Sequence, residues 1–80
     1  MANDDREWIL EQATGVRDCE GRMIFENDVL EIGMQTWGVV KYDRQYAMFI
    51  VVLQSKHHVP LVSYLIMPVK LEVMGNIHQI

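Results

Sequence analysis

The stretch Asp18–Leu30, DCEGRMIFENDVL, decides how the chain is read. An acid and a glycine bracket a turn over Asp18–Gly21, where glycine supplies the positive φ that such turns need. The apolar triplet Met23-Ile24-Phe25 follows. A second polar knot, Glu26-Asn27-Asp28, comes next, and asparagine is one of the few residues besides glycine to tolerate the left-handed region. Two turns so close together make the chain double back. Ile24 and Phe25 are then expected to plug one end of a small barrel while Val29–Ile32 begins its wall. Burial of each would contribute about 1.5–3 kcal/mol.

Working outward, the grammar stays β from Thr14 onward. TWGVVKYD reads as a strand with Gly38 near its start, and a strand glycine marks a bulge or a close backbone approach. In YAMFIVVLQ, residues Tyr46, Met48, Ile50 and Val52 alternate with Ala47, Phe49, Val51 and Leu53. Both faces are apolar, which predicts cover on two sides, from the core and from the N-terminal arm or a second subunit. SKHH is a polar connection. VPLVSYLIM reads as another two-sided strand, entered at Pro60, where a missing donor is tolerated, and closed by Pro68. KLEVMGNI alternates, with Leu71 and Val73 inward, and Gly75-Asn76 predicts a turn. Five or six short strands with turns every 8–12 residues predict a mainly all-β barrel or sandwich. Ahead of it, residues 1–13 read as an acidic arm or short helix with acids in its first turn, a Trp8-Ile9-Leu10 cluster, and Gly15 as the stop.

Composition sets the limits. Eighty residues make one domain at most, and half are hydrophobic, too many for a disordered chain. So little interior leaves apolar surface over, which predicts a subunit interface and a homo-oligomer. The single cysteine, Cys19, excludes an internal disulfide and fits a reducing compartment. No apolar run approaches the ~20 residues that span a bilayer, and MANDDREWIL lacks the features of a secretion signal. The expectation is a soluble protein of the bacterial cytoplasm. Net charge is −4, with four acids against one base in residues 1–11 and seven against six in residues 12–80. Phosphate-dominated binding needs a cationic footprint, so the charge argues against nucleic acid.

The chain resembles the YopX family of phage and prophage proteins, and three blocks carry the likeness. They are TGVRDCEGRMIFENDVL, GVVKYD at Gly38–Asp43, and EVMGNI at Glu72–Ile77. The first matches a pattern of threonine-glycine, an aspartate, a glycine, isoleucine, an aromatic, and an acidic-glycine-aspartate turn before a strand. Asn27 stands in place of the usual glycine. The basic strand that often opens family members and the tyrosine-rich tail that follows the signature are absent, so the chain reads as a short member. The resemblance implies an SH3-like β-barrel over residues 14–80 and a phage or prophage origin. It implies no activity, and the repeated residues read as structural.

A search for chemistry finds little. Adjacent His57 and His58 project in different directions, and no metal-ligand spacing links them to Cys19 or His78. No metal and no cofactor are expected. Asp18 and Glu20 flank Cys19 and disfavour its thiolate, the reverse of what a nucleophile requires. Ser55 and Ser63 lack a nucleophile context. Asp18, Glu26, Asp28 and Asp43 lie at predicted turns, where acids cap backbone amides. No catalytic residues are assigned, and the chain is not expected to be an enzyme. Among the aromatics Trp37, Tyr42, Tyr46 and Tyr64, several must serve the core. SH3-like barrels bind peptides through aromatic grooves, so Trp37, Tyr42, Arg44 and Tyr46 are the candidate partner contacts. The leading expectation is a non-enzymatic module that binds a host or phage protein and counters a host system. The alternatives are a nucleic-acid-binding barrel using Lys41 and Arg44, and an oligomer that sequesters a nucleotide at a subunit interface.

Overall fold

The computed structural model describes residues 11–33, 36–67 and 69–78. Of the arm or helix expected over residues 1–13, residues 1–10 lie outside them, while residues 11 and 12 are not helical and Ala13 already belongs to the first strand. Seven strands run in the order β1 (Ala13–Arg17), β2 (Met23–Phe25), β3 (Asp28–Ile32), β4 (Thr36–Asp43), β5 (Met48–Leu53), β6 (His58–Pro60) and β7 (Leu71–Asn76), with a 3-10 helix at Leu61–Leu65. The chain is therefore mainly β, as its turn spacing predicts.

It is not a closed barrel. β1 and β2 form a two-stranded ribbon, and the other five strands form an open antiparallel sheet ordered β6-β5-β4-β3-β7. Its two edge strands do not pair with each other. Closure fails at Pro60. The stretch expected to run on as a strand through Met67 leaves the ladder there, where proline has no N–H to donate, and coils into the 3-10 helix. Leu61 and Tyr64, three residues apart, then share one side of that helix, and both are buried in the core.

The core lies between one face of the sheet and a cover made by the ribbon and the 3-10 helix. Leu30 and Ile32 of β3, Val40 of β4, Val51 of β5 and Leu71 of β7 meet Ile24 of the ribbon, Leu61 and Tyr64. Phe49, Leu53, Val59, Val73 and Val16 surround them. Ile24 is fully buried, as expected, whereas Phe25 stands 39% exposed. Consecutive strand residues point to opposite faces, so only one of the pair can plug the core. The opposite face of the sheet carries Val39, Lys41, Ile50 and Val52, and Ile50 is buried between its ladder neighbours Lys41 and Pro60.

The ribbon is fastened to the sheet at both ends. At one end, the Cys19 N–H donates to the Leu71 carbonyl at 2.8 Å, and the Val73 N–H donates to the Asp18 carboxylate at 2.9 Å. These contacts occupy the outer edge of β7, which is otherwise open to pairing with another chain. At the other end, the Asn27 N–H donates to the Val40 carbonyl at 2.7 Å, and Ile77 N–H donates back to the Asn27 carbonyl at 3.0 Å. Asn27 adopts φ 74°, the left-handed conformation predicted for it.

Two glycines behave differently from expectation. Gly15 stops no helix: it lies within β1 at φ 84°, where the ribbon register shifts. The Thr14 hydroxyl bridges this irregularity, accepting from Val16 N–H at 3.1 Å and donating to the Ile24 carbonyl at 2.8 Å. Thr14→Val removes both bonds while keeping the shape, and is expected to cost about 1–2 kcal/mol in urea unfolding. A loss below a few tenths would show that the hydroxyl is replaceable by water. Gly75 and Asn76 do not turn the chain but belong to β7, where Gly75 sits opposite Val29 and Val73 opposite Leu30. Met74 is the extra residue of this bulge and stands half exposed.

Candidate functional site

The four candidate contact residues do not form one surface. Trp37 lies at the start of β4 and Tyr42 near its end, roughly 17 Å apart at the usual strand rise, and the odd spacing sends them to opposite faces. Trp37 is 40% exposed and, with Val29, Val39 and Val52, lines a shallow apolar depression. Tyr42 packs edge-on against Phe49, its ladder partner, with ring centroids 5.1 Å apart. Tyr42 and Arg44 share an open polar cleft of about 450 Å³ with Gln12 and Glu26. Tyr46 sits in the β4–β5 turn and is the most exposed of the three aromatics. Its N–H and that of Gln45 donate to Asp43 Oδ1 at 3.3 and 2.9 Å.

Asp18 and Asp28 serve backbone. The Asp18 side chain is fully buried and accepts from Glu20 N–H (3.0 Å), Arg22 N–H (2.8 Å), Val73 N–H and Arg22 Nε (3.2 Å). Burial pushes its carboxyl up, but the three amides and the Arg22 guanidinium outweigh burial and hold it below the usual range. Asp28 accepts from Phe25 N–H at 2.8 Å and from the Asn76 side-chain amide at 3.2 Å. That amide also donates to Glu11 Oε2 at 3.1 Å, and Asn27 Nδ2 donates to the same oxygen at 3.3 Å. Lys41 Nζ donates to Asn27 Oδ1 at 2.7 Å. The arrangement ties Asn27, Asp28 and Asn76 to Glu11 and Lys41 as one polar lock.

His57 and Ser55 contact each other across the exposed β5–β6 turn at 2.9 Å. Cys19 is an exposed free thiol. Among the described residues no three His, Cys, Asp or Glu side chains are grouped to hold a metal ion, and no helix is long and apolar enough to cross a membrane.

The surface that sequence reasoning missed lies around the 3-10 helix. Leu61 and Tyr64 face inward, where burial pushes the Tyr64 phenol up and keeps it neutral. That orientation turns Val62 (59% exposed) and Leu65 outward, and Ile66 (84%), Met67 and Val69 follow. Two depressions flank Leu65. One, of about 310 Å³, is lined by Val16, Met48, Phe49, Leu61 and Val62, with Thr14 at its edge. The other, of about 250 Å³, is lined by Tyr64, Met67, Val69 and Leu71, with Arg17 and Lys70 among its polar residues. The signal was present in the i, i+3 spacing of Leu61 and Tyr64, but a strand template fits the same run.

Compared with known families, the whole chain, residues 1–80, matches the family model described as YopX protein. The chain belongs to the YopX family. No curated protein and no solved structure matches it. The blocks that carry its YopX likeness meet in space: Asn27-Asp28 of the first is locked to Asn76 of the third, Asp18 of the first holds Val73 of the third, and Gly38 of the second lies between β3 and β5. In this YopX chain those motif residues build the scaffold, whereas the exposed apolar residues Val62, Leu65, Ile66, Met67 and Val69 lie between the second and third blocks.

Proposed function

We propose that this YopX-family chain is a phage or prophage accessory protein, a non-enzymatic module that binds a host or phage protein in the bacterial cytoplasm to counter a host system. The observation that supports this reading is the apolar surface formed by Val62, Leu65, Ile66, Met67 and Val69. Soluble proteins rarely leave large contiguous apolar patches uncovered, and such patches mark sites of association. Enclosing a fully exposed aliphatic side chain is worth about 1.5–3 kcal/mol, so this cluster, exposed over part of each side chain, can anchor a partner. The open sheet also leaves Trp37 and Tyr46 available at other points of the surface as additional contacts.

The test compares wild type with Val62→Asp/Ile66→Asp, both immobilised and exposed to host lysate, with captured proteins quantified by mass spectrometry. Both positions point away from the core, so circular dichroism should be unchanged. A defined protein retained by wild type and lost by the variant supports the reading, and identical capture by both sinks it. Sedimentation of the two proteins separates a foreign partner from a second copy: a dimer abolished by the double substitution assigns the surface to self-association.

A further inference from the structure

We infer that the paired depressions astride Leu65 form a recognition site for an extended peptide segment of another protein, in which apolar side chains stand next to Asp or Glu. This deepens the interaction reading above and rests on it. The first depression is walled by Val16, Met48, Phe49 and Val62 and fits an apolar anchor. The second differs in charge. Arg17 and Lys70 both line it. Its one acid, Asp18, is fully buried with its carboxylate oxygens occupied by backbone amides and Arg22. Arg17 donates through Nη1 to the Gly21 carbonyl at 2.9 Å, a neutral partner that holds the guanidinium in place without cancelling its charge. Lys70 has no acidic partner within ion-pair distance among the described residues.

A chain whose net charge is −4 thus presents two cations beside its most apolar surface. A segment crossing Leu65 would bury an apolar side chain on one side and set carboxylates against Arg17 and Lys70 on the other. A rim of charge around an apolar anchor sets association rate and selectivity. A nucleic acid is disfavoured as occupant because two bases give a small phosphate footprint.

The experiment uses the full chain and fluorescence anisotropy with two labelled ten-residue probes. One carries Ile-Trp-Leu next to Asp-Asp-Glu, and the other carries Ile-Trp-Leu next to Lys-Lys-Lys. The acidic probe is expected to bind at least about tenfold tighter than the basic one, and to weaken as salt screens the pair. Arg17→Glu/Lys70→Glu should remove that preference or invert it. Lys70→Met, which keeps the stem and drops the charge, should reduce it severalfold. Leu65→Ser should weaken both probes alike. Equal binding of the two probes overturns the acidic specificity while leaving an apolar interaction surface in place. Absence of binding by either probe overturns the peptide site, and the lysate comparison then decides the broader reading alone. A labelled single-stranded oligonucleotide that binds in the same assay and is released by Arg17→Glu/Lys70→Glu would also overturn it.

Discussion

Asp18→Ala is expected to unfold the domain or bring it to the edge of unfolding at neutral pH. The lost side chain is the acceptor for Glu20, Arg22 and Val73 N–H groups and for Arg22 Nε, and it is fully enclosed. Water can reach the first two amides, since Glu20 and Arg22 are exposed. Val73 N–H, part-buried on β7, loses the carboxylate that holds it. Stranding a buried donor costs about 1–3 kcal/mol, more when the lost acceptor is charged, against the roughly 3–5 kcal/mol that a domain of this size commands. Asp18→Asn should fall between, because an amide offers one acceptor and must turn its NH2 toward one pair of donors. The same carboxylate gives stability a pH dependence. Its folded pKa is held below the unfolded value of about 3.9, so the unfolded chain binds the proton more readily. The contribution is therefore complete well above pH 4 and is lost as pH falls through the lower folded pKa. Urea unfolding of wild type at pH 7 and pH 3 should show this fall, and Asp18→Asn should show a shallower one. Equal stability of Asp18→Ala and wild type at pH 7 would refute the role of Asp18 as the fastener between ribbon and sheet.

The features legible in the sequence are those fixed by local chemistry. The Asp18–Gly21 turn and the left-handed Asn27 each follow from what one residue type can do with its backbone, without knowledge of distant contacts, whereas Gly38 signals a close approach in the strand but not that Val51 is what it meets. The hairpin-rich order of strands is readable for the same reason. What was not legible depends on tertiary context. The run LVSYLIM has composition suited to a strand with two buried faces, but Pro60 ends the ladder and Leu61 and Tyr64 find the core from a 3-10 helix instead. Closure of the barrel fails with it. Gly75-Asn76 has the composition of a turn, yet Asn76 is drawn into β7 by Asp28 and Glu11, whose partnership with it spans 48 and 65 residues of sequence. Aromatic residues suggested contacts at Trp37, Tyr42, Arg44 and Tyr46, but one strand carries Trp37 and Tyr42 to opposite faces. The larger apolar surface went unseen because an exposed Leu or Ile reads, in sequence, the same as a buried one.

These differences share a cause. Motif residues satisfy backbone polar groups within or between turns, so their identity is dictated by hydrogen bonding and φ, which sequence shows. The apolar segments satisfy only a demand for burial, and burial can be met by any side of the sheet, by a helix, or by another molecule. In this chain the motif blocks fix the scaffold, and the segment between the second and third blocks is left with more apolar area than the scaffold can cover. That surplus is what the proposed interaction role rests on.

Gly38→Val is the other substitution expected to abolish folding, and its cause is space rather than conformation. Gly38 is buried on β4 between Leu30 of β3 and Leu53 of β5. A Cβ at this position would overlap Val51 Cγ1 and come within 3.2 Å of Leu53 Cδ2 and Val52 O. Val51 cannot swing aside, because it is fully buried in the core cluster. Overpacking of this kind costs about 1–3 kcal/mol for small additions, so Gly38→Ala should lose a large share of the domain's stability and the branched valine should exceed it. Val51→Ala removes the methyl that blocks the site while leaving a void of its own. The pair Gly38→Ala/Val51→Ala should therefore be less destabilised than the sum of the two single changes, by about 0.5–3 kcal/mol for residues in contact. Urea unfolding followed by circular dichroism measures all three variants. Strict additivity, or a Gly38→Ala chain within a few tenths of wild type, would mean that β4 and β5 do not pack as closely as the Gly38–Val51 contact requires.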